Sequence, residues 1–383
     1  MKQYDYIFTG AGLSALMTVY KMAQSGQFKD KTILLLDENA KKTNDRTWCF
    51  WTKKKGIWKN IISKTWDSAL FANQDFERDL DLNPYQYHMV KGLDFYTQVF
   101  DVISKEKNIH FLNQKVTDIE ESETIIMVQT ETESFSCSKL FNSIYTKSKM
   151  DNQTDYPVLQ QHFIGWFVKS EQAVFNPEQA TFMDFSVAQK GNTRFMYVLP
   201  TATTEALLEY TLFSHTLLTK EEYETEIENY IQKLGISHYE IVEKEHGSIP
   251  MTCYPFWKQN TKNVINIGSA GGWTKASTGY TFKNSDKKSS ELVAFLQRET
   301  NFTKFHKRNK FWFYDLLLLD ILDRKNELGS SIFSSMFKKG NPTLIFKFLD
   351  EETSLFEDIQ VILKCPKGPF IQALFRAIFK FKN

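Results

Sequence analysis

Apolar and polar positions in the first 38 residues follow the pattern of a strand, a helix and a second strand. Residues 4–9 form a short, largely apolar run, and a second apolar run over residues 33–36 ends in two acidic residues. Between the two runs, apolar side chains recur at the spacing of one helix face. That stripe consists of Leu13, Leu16, Met17 and Tyr20, and Gly26 is placed to end the helix. The pattern predicts a βαβ unit.

The turn between the first strand and the helix carries a glycine fingerprint. Gly10 allows a tight turn, Gly12 lets the backbone approach a pyrophosphate, and the small Ala15 lets the helix pack closely on the strand. Asp37 or Glu38, after the second strand, is expected to accept hydrogen bonds from a ribose hydroxyl. Together these features predict a Rossmann-type dinucleotide-binding domain, with a glycine turn in another α/β protein as the alternative. The position of the fingerprint near the start of the chain is typical of FAD-binding enzymes.

From about residue 151 the pattern changes to strands and hairpins. Four segments are rich in β-branched and aromatic residues and are separated by turn residues. These segments are residues 160–169, 181–185, 194–200 and 206–214. They predict an antiparallel sheet that forms a substrate domain. The residues after about 300 are apolar at helical spacing and predict a helical region.

Glu209 is the acidic residue that this pattern singles out. Because side chains alternate along a strand, Glu209 shares a face with Leu207, Thr211 and Phe213. A carboxyl group on an apolar face is desolvated, so its pKa is expected to rise above the ordinary value. Such a group can hold a proton near neutral pH and protonate a substrate. The alternative is a glutamate on an edge strand that faces water.

A second glycine-rich stretch predicts another cofactor contact. A buried run over residues 263–267 ends in glycines, and a further glycine precedes a helix, so backbone N–H groups again point toward an anion. The residues concerned are Gly268, Ser269, Gly272, Thr278, Gly279 and Tyr280. Many flavoproteins carry an aspartate where this chain has Ser269. The helix that starts near Gly279 would place the positive end of its dipole close to a flavin.

Between the two glycine-rich stretches, a polar loop changes abruptly into an aromatic cluster. Arg46 is a candidate partner for a phosphate or ribose, and Trp48 and Trp51 offer a flat apolar surface to a ring or a polyene. The alternative is that Arg46 pairs with an acid and that the tryptophans belong to the core.

Composition narrows the classes of function. The chain has 383 residues, enough for two or three structural units, and its net charge of +1 gives no reason to expect nucleic acid as a partner. Its 4 cysteines are far apart, which argues against a metal site or a disulfide framework, and we expect a reducing, cytoplasmic location without a secretory signal. No apolar run is long enough to cross a membrane. The 33 phenylalanines indicate an unusually apolar cavity or outer surface.

The segment Asp45-Arg46-Thr47-Trp48-Cys49-Phe50-Trp51 resembles the signature of the bacterial lycopene β-cyclases. Further segments resemble motifs of that family: residues 84–87, 182–184, 208–211, 245–250 and 268–280. The chain departs from the family at Asn142, where the cyclases usually carry an Asp-x-Arg-like turn. Asn142 therefore stands where the resemblance implies one cofactor contact.

The resemblance implies an α/β fold, namely a Rossmann-type FAD-binding flavoprotein fold with an antiparallel β-sheet substrate domain and a helical C-terminal region. Residues 1–150 and 255–300 would form the discontinuous FAD-binding domain. Residues 151–254 would form the substrate domain, and residues 301–383 the helical region. The basic and aromatic tail over residues 370–382 is typical of helices that lie on a membrane surface, with core packing as the alternative.

The resemblance also implies an activity. The ψ-ends of lycopene, or of a related linear carotenoid, would be cyclised to β-ionone rings without net redox change, with reduced FAD as cofactor and NAD(P)H as reductant. Glu209 corresponds to the family's catalytic acid, Asp184 is a second candidate, and Glu245 is a third acid for the cavity. The proton donor is either Glu209 or the reduced flavin. A cytoplasmic protein at the inner face of the cell membrane would suit this substrate. The oligomeric state stays open.

Two alternatives to a cyclase remain at this point. A flavin-dependent monooxygenase or isoprenoid reductase would use the same fold and would consume NAD(P)H in proportion to product. A carotenoid- or lipid-binding protein would keep the fold without catalysis, and Asn142 leaves that option open.

Overall fold

The computed structural model describes residues 1–53, 56–145, 150 and 152–381. The strands are β1 (Lys2–Thr9), β2 (Ile33–Asp37), β3 (Thr47–Thr52), β4 (Ile62–Trp66), β5 (Ser68–Ala72), β6 (Glu77–Asp81), β7 (Gln86–Lys91), β8 (Ile109–Asn113), β9 (Val116–Glu121), β10 (Ile126–Thr130), β11 (Ser134–Asn142), β12 (Leu159–Ser170), β13 (Gln179–Asp184), β14 (Thr193–Pro200), β15 (Glu205–Ser214), β16 (Tyr239–Met251) and β17 (Val264–Asn266). The α-helices are α1 (Leu13–Ser25), α2 (Gly92–Ile103), α3 (Lys220–Lys233), α4 (Phe282–Leu296), α5 (Lys310–Arg324), α6 (Gly329–Lys339), α7 (Pro342–Leu349), α8 (Leu355–Ile362) and α9 (Lys367–Phe381).

The first sheet has the strand order β8–β2–β1–β11–β10–β9, and β17 pairs with the end of β11. Strands β8, β2, β1, β11 and β17 are parallel. The second half of β1 and nearly all of β2 are buried because helices cover one face and the hairpin of β9 and β10 helps to cover the other. The predicted βαβ unit of β1, α1 and β2 is confirmed.

The second sheet has the order β16–β12–β15–β14–β13–β5–β6. Its pairs are antiparallel except β13 with β5. Helix α3 covers one face, and helices from the last eighty or so residues cover the other. The expected boundaries placed residues 1–150 in the cofactor unit, whereas residues 68–81 belong to this second sheet. They reach it through the parallel pairing of β5 with β13, which local sequence does not reveal.

A small third sheet, β3–β7–β4, lies between the two larger ones. It carries the aromatic segment of residues 47–52, and its side chains pack against both main cores. The helices that follow α4 pack against one face of the second sheet. No helix in the part of the chain that the structure describes is long and apolar enough to cross a membrane.

Candidate active site

A cavity of about 520 Å³ lies between the two main sheets and the C-terminal helices. One half, which we call the glycine half, is lined by Gly10, Gly12, Asp37, Ser143, Gly268, Ser269, Thr278 and Gly279. The other half, which we call the acid half, is lined by Phe182, Phe195, Tyr197, Leu207, Glu209, Phe213, Glu245 and Met336. Arg46, Trp48 and Tyr280 also line the cavity.

The turn after β1 opens onto the glycine half. Gly10 has a φ of 88°, which favours glycine, and a Cβ there would lie 2.4 Å from Ser143 Oγ. Gly12 precedes α1, and no side chain caps that helix, so the N–H groups at its start are available to an anion. The Ala11 N–H donates to Asp37 Oδ2 at 2.6 Å and closes the turn against β2. Asp37 keeps further lone pairs for a ligand hydroxyl.

Asn142, the departure from the family pattern, ties together three strand ends. Its Oδ1 accepts from Thr9 Oγ1 at 2.9 Å, and its Nδ2 donates to Asn266 Oδ1 at 2.9 Å. The next residue, Ser143, donates its hydroxyl to the carbonyl oxygens of Thr9 and Gly10. The amide therefore has a structural role at the edge of the glycine half.

The second glycine-rich stretch approaches the same space from the opposite side. Gly268 and Gly279 have φ values of 60° and 71°, and a Cβ on Gly279 would lie 1.7 Å from Gln161 Oε1. Among the described residues, neither Gln161 Oε1 nor Thr278 Oγ1 has a hydrogen-bond partner, although both are buried. Helix α4 begins here, and its N-terminus also lacks a side-chain cap. Buried polar groups without partners indicate a place for a polar ligand.

Strand register assembles the acid half. Glu209 of β15 lies opposite Gly165 of β12, and Gly165 in turn lies opposite Glu245 of β16. On the other side of Glu209, Tyr197 of β14 lies directly opposite. Paired residues share a face of a sheet, so the two carboxyl groups flank a position that has no side chain. A Cβ on Gly165 would lie 2.9 Å from Leu207 Cδ1 and 3.1 Å from Glu245 Cγ.

Burial raises the pKa of Glu209, and the neighbouring charge of Glu245 raises it further. A hydrogen bond from Thr211 Oγ1 at 2.6 Å lowers this pKa and partly offsets the rise. Burial also raises the pKa of Glu245, and so does the charge of Glu243, although the Thr47 hydroxyl at 2.8 Å and the charge of Arg46 oppose this rise. Two interacting carboxyls in an apolar cavity resist double ionisation. The pair therefore retains a proton near neutral pH.

Neutral hydroxyl groups and aromatic faces surround this pair. The hydroxyls of Tyr87 and Tyr197 are hydrogen-bonded to each other. Burial raises the pKa of the Cys49 thiol to about 12 and raises the pKa of Tyr280 above its ordinary value. These groups stay uncharged at physiological pH. The acid half thus combines a proton store with π-faces that can stabilise a cation.

Asp184 lies outside the cavity lining. Its Oδ2 accepts from the Tyr230 hydroxyl at 2.7 Å, and its Oδ1 accepts from the Ser186 N–H at 2.8 Å. The carboxylate therefore anchors helix α3 to the sheet.

Four other predicted site residues also lie outside the lining. Ala15 is buried in α1, as its predicted packing role requires. Glu38 is exposed and lies 3.7 Å from Lys115 Nζ. Gly272 adopts the left-handed conformation that ends a 3₁₀ turn. Trp51 is buried against Tyr280 and Phe346 and supports the wall from behind.

Several residues of the site escaped the sequence analysis, among them Gly165, Tyr197 and Gln161. A glycine in the interior of a strand often marks a close approach, and Gly165 carried that signal. Tyr197 and Gln161 are ordinary residues in aromatic or polar strands, and only the register brings them to the cavity.

Comparisons with known proteins add three findings. A family model described as "Lycopene cyclase protein" matches residues 5–375. No curated protein matches the chain. The fold matches several solved structures at low sequence identity.

One such structure is a geranylgeranyl bacteriochlorophyll reductase-like protein from Thermoplasma acidophilum, with a TM-score of 0.61, 10% identity and coverage of 97% of this chain and 98% of that chain. A flavoprotein/dehydrogenase from Cytophaga hutchinsonii has a TM-score of 0.62 and 11% identity, covering 95% and 99% of the two chains. A variant of the halogenase PltM in complex with FAD has a TM-score of 0.61 and 10% identity, covering 90% and 79%. At these identities the likeness shows the fold alone. The predicted Rossmann-type flavoprotein fold is confirmed.

Proposed function

The chain belongs to the lycopene cyclase family, and from that premise we propose that it is a lycopene β-cyclase. It converts the acyclic ψ-ends of lycopene, or of a related linear carotenoid, to β-ionone rings, giving β-carotene by way of γ-carotene. The observation that carries the proposal is the pairing of Glu209 and Glu245 across Gly165 in an apolar cavity. Such a pair is suited to acid–base chemistry on a hydrocarbon.

The reaction needs a proton donor and a proton acceptor in the same dry space. A carboxylic acid protonates the terminal double bond, and the resulting carbocation closes onto a neighbouring double bond. A ring proton then leaves to a carboxylate, so that one proton is taken up, one is returned and no electrons are gained or lost. Desolvation strengthens both steps, because a donor with a raised pKa stays protonated near neutral pH until substrate is present.

We assign the donor to Glu209 and the acceptor to Glu245. Hydrogen bonds from Thr47 favour the ionised form of Glu245, and the charge of Arg46 partly offsets the opposing charge of Glu243. Among the described residues, Glu209 has the Thr211 hydroxyl and no cation as a stabilising partner. The proton therefore resides on Glu209. Asp184 receives no role in the reaction, because Tyr230 and Ser186 occupy it away from the cavity.

The residues of the glycine half fit FAD. Gly10, Gly12 and the start of α1 would hold the pyrophosphate, and Asp37 would bind the ribose. Thr278, Gly279 and the start of α4 would hold the flavin end, where the buried Gln161 and Thr278 oxygens have no partner among the described residues. When bound in its reduced form, with NAD(P)H as reductant, FAD would supply negative charge beside the acid half.

A water-insoluble substrate must be drawn from a membrane. We place the protein at the inner face of the cell membrane as a peripheral protein. Helix α9 carries large exposed apolar side chains, including Ile371, Phe375 and Phe379. Such a helix suits a membrane surface.

The test is expression in a bacterium that accumulates lycopene, followed by separation of the pigments. The wild-type chain is expected to yield a monocyclic or bicyclic carotene, and Glu209→Gln is expected to leave lycopene unchanged. Glu205→Gln is the matched control, because Glu205 lies on the same strand and pairs with Lys169 at the surface. Unchanged lycopene with a wild-type protein that binds FAD would overturn the proposal.

The main alternative is a flavin redox enzyme, a monooxygenase or a carotenoid reductase, because structures described as a reductase-like protein and a monooxygenase share this fold. Consumption of NAD(P)H distinguishes the two. A redox enzyme uses one equivalent for each product molecule, whereas a cyclase needs only enough to keep the cofactor reduced.

A further inference from the structure

A second, smaller pocket touches the acid half from outside. It has a volume of about 360 Å³ and lies between α6, α7 and α8. Met336 of α6 lines both this pocket and the catalytic cavity. Met336 therefore forms part of the wall between the acid half and this surface pocket, and methionine side chains rearrange readily.

The helix at the mouth of this pocket has an apolar outer face. Large side chains at helical spacing point to solvent: Leu355, Phe356, Ile359, Ile362 and Leu363. Phe356 is 71% exposed and Ile359 is 54% exposed, whereas Val361 on the opposite side is buried. Exposed apolar patches of this kind mark interaction sites. We call these five residues the α8 face.

Charges around the α8 face favour one kind of partner. Both acids of α8 are neutralised, since Glu357 pairs with Lys347 at 2.6 Å and Asp358 pairs with Lys310. The basic residues at its edge are Lys339, Lys364 and Lys367. In the described ranges, no acidic partner is found for any of these three lysines. An apolar face bordered by unpaired positive charge suits an anionic lipid bilayer.

We propose that the α8 face rests on an anionic bilayer and that the pocket at Met336 is the entrance through which the end group of the apolar substrate passes from the lipid to the acid half. The identity of the substrate rests on the proposed function, but the contact with lipid does not. The catalytic cavity has the volume of a site for one drug-sized molecule. A long polyene must therefore leave most of its length outside, and the entrance places that length in lipid.

A larger groove of about 1120 Å³ also adjoins the cavity, and Tyr145, Ser248 and Pro250 line both. Charged side chains line this groove, among them Asp320 and Arg376, which form an ion pair. Placing a hydrocarbon there would desolvate charges at a cost. Lys339 and Lys364 line the pocket at Met336, but a lysine can keep its ammonium group in water while its methylene chain covers the wall. The cost is therefore smaller at the pocket at Met336 than at the ion pair in the groove.

Sedimentation with vesicles tests the lipid contact on the purified holoprotein. We expect binding to vesicles of phosphatidylglycerol and phosphatidylcholine, and at least about ten-fold weaker binding by the double variant Phe356→Ser/Ile359→Ser. Ile57→Ser/Val242→Ser removes comparably exposed apolar side chains from other elements and should bind as the wild type does. Equal binding by both double variants would overturn the proposal. The proposal would also be overturned if the α8 variant changed from dimer to monomer while its vesicle binding stayed the same. That result would mean that the α8 face contacts a second copy of the chain.

The lysines at the edge of the α8 face are expected to make a second, smaller contribution to vesicle binding. Lys364→Gln and Lys367→Gln should each weaken binding to anionic vesicles roughly five-fold, from about 1 kcal/mol per charge near the surface. Binding to vesicles of phosphatidylcholine alone should not change. Equal loss on both vesicle types would contradict the assignment to anionic lipid.

Filling each opening separately tests the entrance. Leu344 lines the pocket at Met336 but not the catalytic cavity, and Leu217 lines the larger groove. With vesicle-borne lycopene, Leu344→Trp should lower kcat/KM about ten-fold while FAD content and vesicle binding stay at the wild-type level, and Leu217→Trp should have no effect. The reverse result would move the entrance to the groove. If neither the wild-type protein nor any variant cyclises lycopene, the proposed function is wrong. The vesicle experiment still tests the contact with lipid in that case.

Discussion

The two halves of the cavity meet opposite electrostatic needs. The glycine half presents uncapped helix starts and backbone N–H groups, which attract negative charge. The acid half removes water from two carboxyl groups, which makes negative charge unfavourable there and keeps a proton in place. A cofactor anion and an acid catalyst can therefore occupy one cavity, because the anion lies against the glycine half and the acid lies in the acid half.

The halves also differ in how the chain builds them. Most of the glycine half comes from two contiguous stretches, residues 10–12 and 268–279, each of which lies between a strand and a helix. The acid half comes from register across β14, β15, β12 and β16, and both carboxyl-bearing strands, β15 and β16, pair with β12, from which they are separated by dozens of residues in sequence. Substitutions in one half of the cavity should therefore leave the structure of the other half intact.

The largest expected effect is on the acid pair. Glu209→Gln and Glu245→Gln should each lower kcat about a hundred- to ten-thousand-fold, the usual contribution of positioned acid–base groups. Because the pair acts as a unit, the double variant should be little worse than the worse single variant. Steady-state kinetics with FAD-saturated protein measures this. Multiplicative losses would mean that the two carboxyls act independently.

The matching change in the glycine half is Gly10→Ala. Its Cβ would collide with Ser143 in a backbone conformation that disfavours alanine, so FAD binding should weaken at least about ten-fold. Gly26→Ala is the control, since Gly26 has a similar φ of 65° but no neighbour within 4 Å. Flavin fluorescence titration gives both affinities. Equal affinity in both variants would show that the turn does not contact the cofactor.

A smaller effect is expected on how the folding stability of the protein depends on pH. The pKa of Glu209 is raised in the folded protein, whereas an unfolded glutamate has a pKa of about 4.3. The folded state thus binds more protons than the unfolded state above that value, and stability falls as pH rises through the raised pKa. Thermal melting of the apoprotein should show a decline from mildly acidic to alkaline pH that is shallower in Glu209→Gln. An equally steep decline in the variant would contradict a buried, protonated Glu209.

The smallest effect is expected for Asp184→Asn. Asparagine Oδ1 can still accept from the Ser186 N–H, and its amide NH2 group can donate to the Tyr230 hydroxyl oxygen. The side chain also lies outside the cavity. We expect kcat within about three-fold of the wild type, with a loss of stability of roughly 1 kcal/mol. A loss as large as that of Glu209→Gln would return Asp184 to the reaction.

The difference between the halves explains what sequence could predict. The fingerprint of Gly10 and Gly12 is local, so the βαβ unit and the turn were predicted correctly. Alternation along one strand also placed Glu209 on the face of Leu207 and Phe213, and all three line the cavity.

What sequence could not predict depends on pairing between distant strands. Gly165 separates the two carboxyls only because β12 lies between β15 and β16. Strands β5 and β6 join the second sheet through β13 for the same reason. Trp48 and Trp51 are three residues apart in a strand and so point to opposite faces, which leaves Trp48 at the cavity and Trp51 behind its wall.

The central claim, an acid–base isomerisation within the acid half, is tested most directly by cyclisation in heavy water. Mass spectrometry of the carotene and the consumption of NAD(P)H are measured in the same reaction. The account predicts one deuterium for each ring formed, because the donated proton comes from an exchangeable carboxyl, and far less than one NAD(P)H for each ring. Rings without deuterium, or one NAD(P)H consumed for each ring, would contradict it.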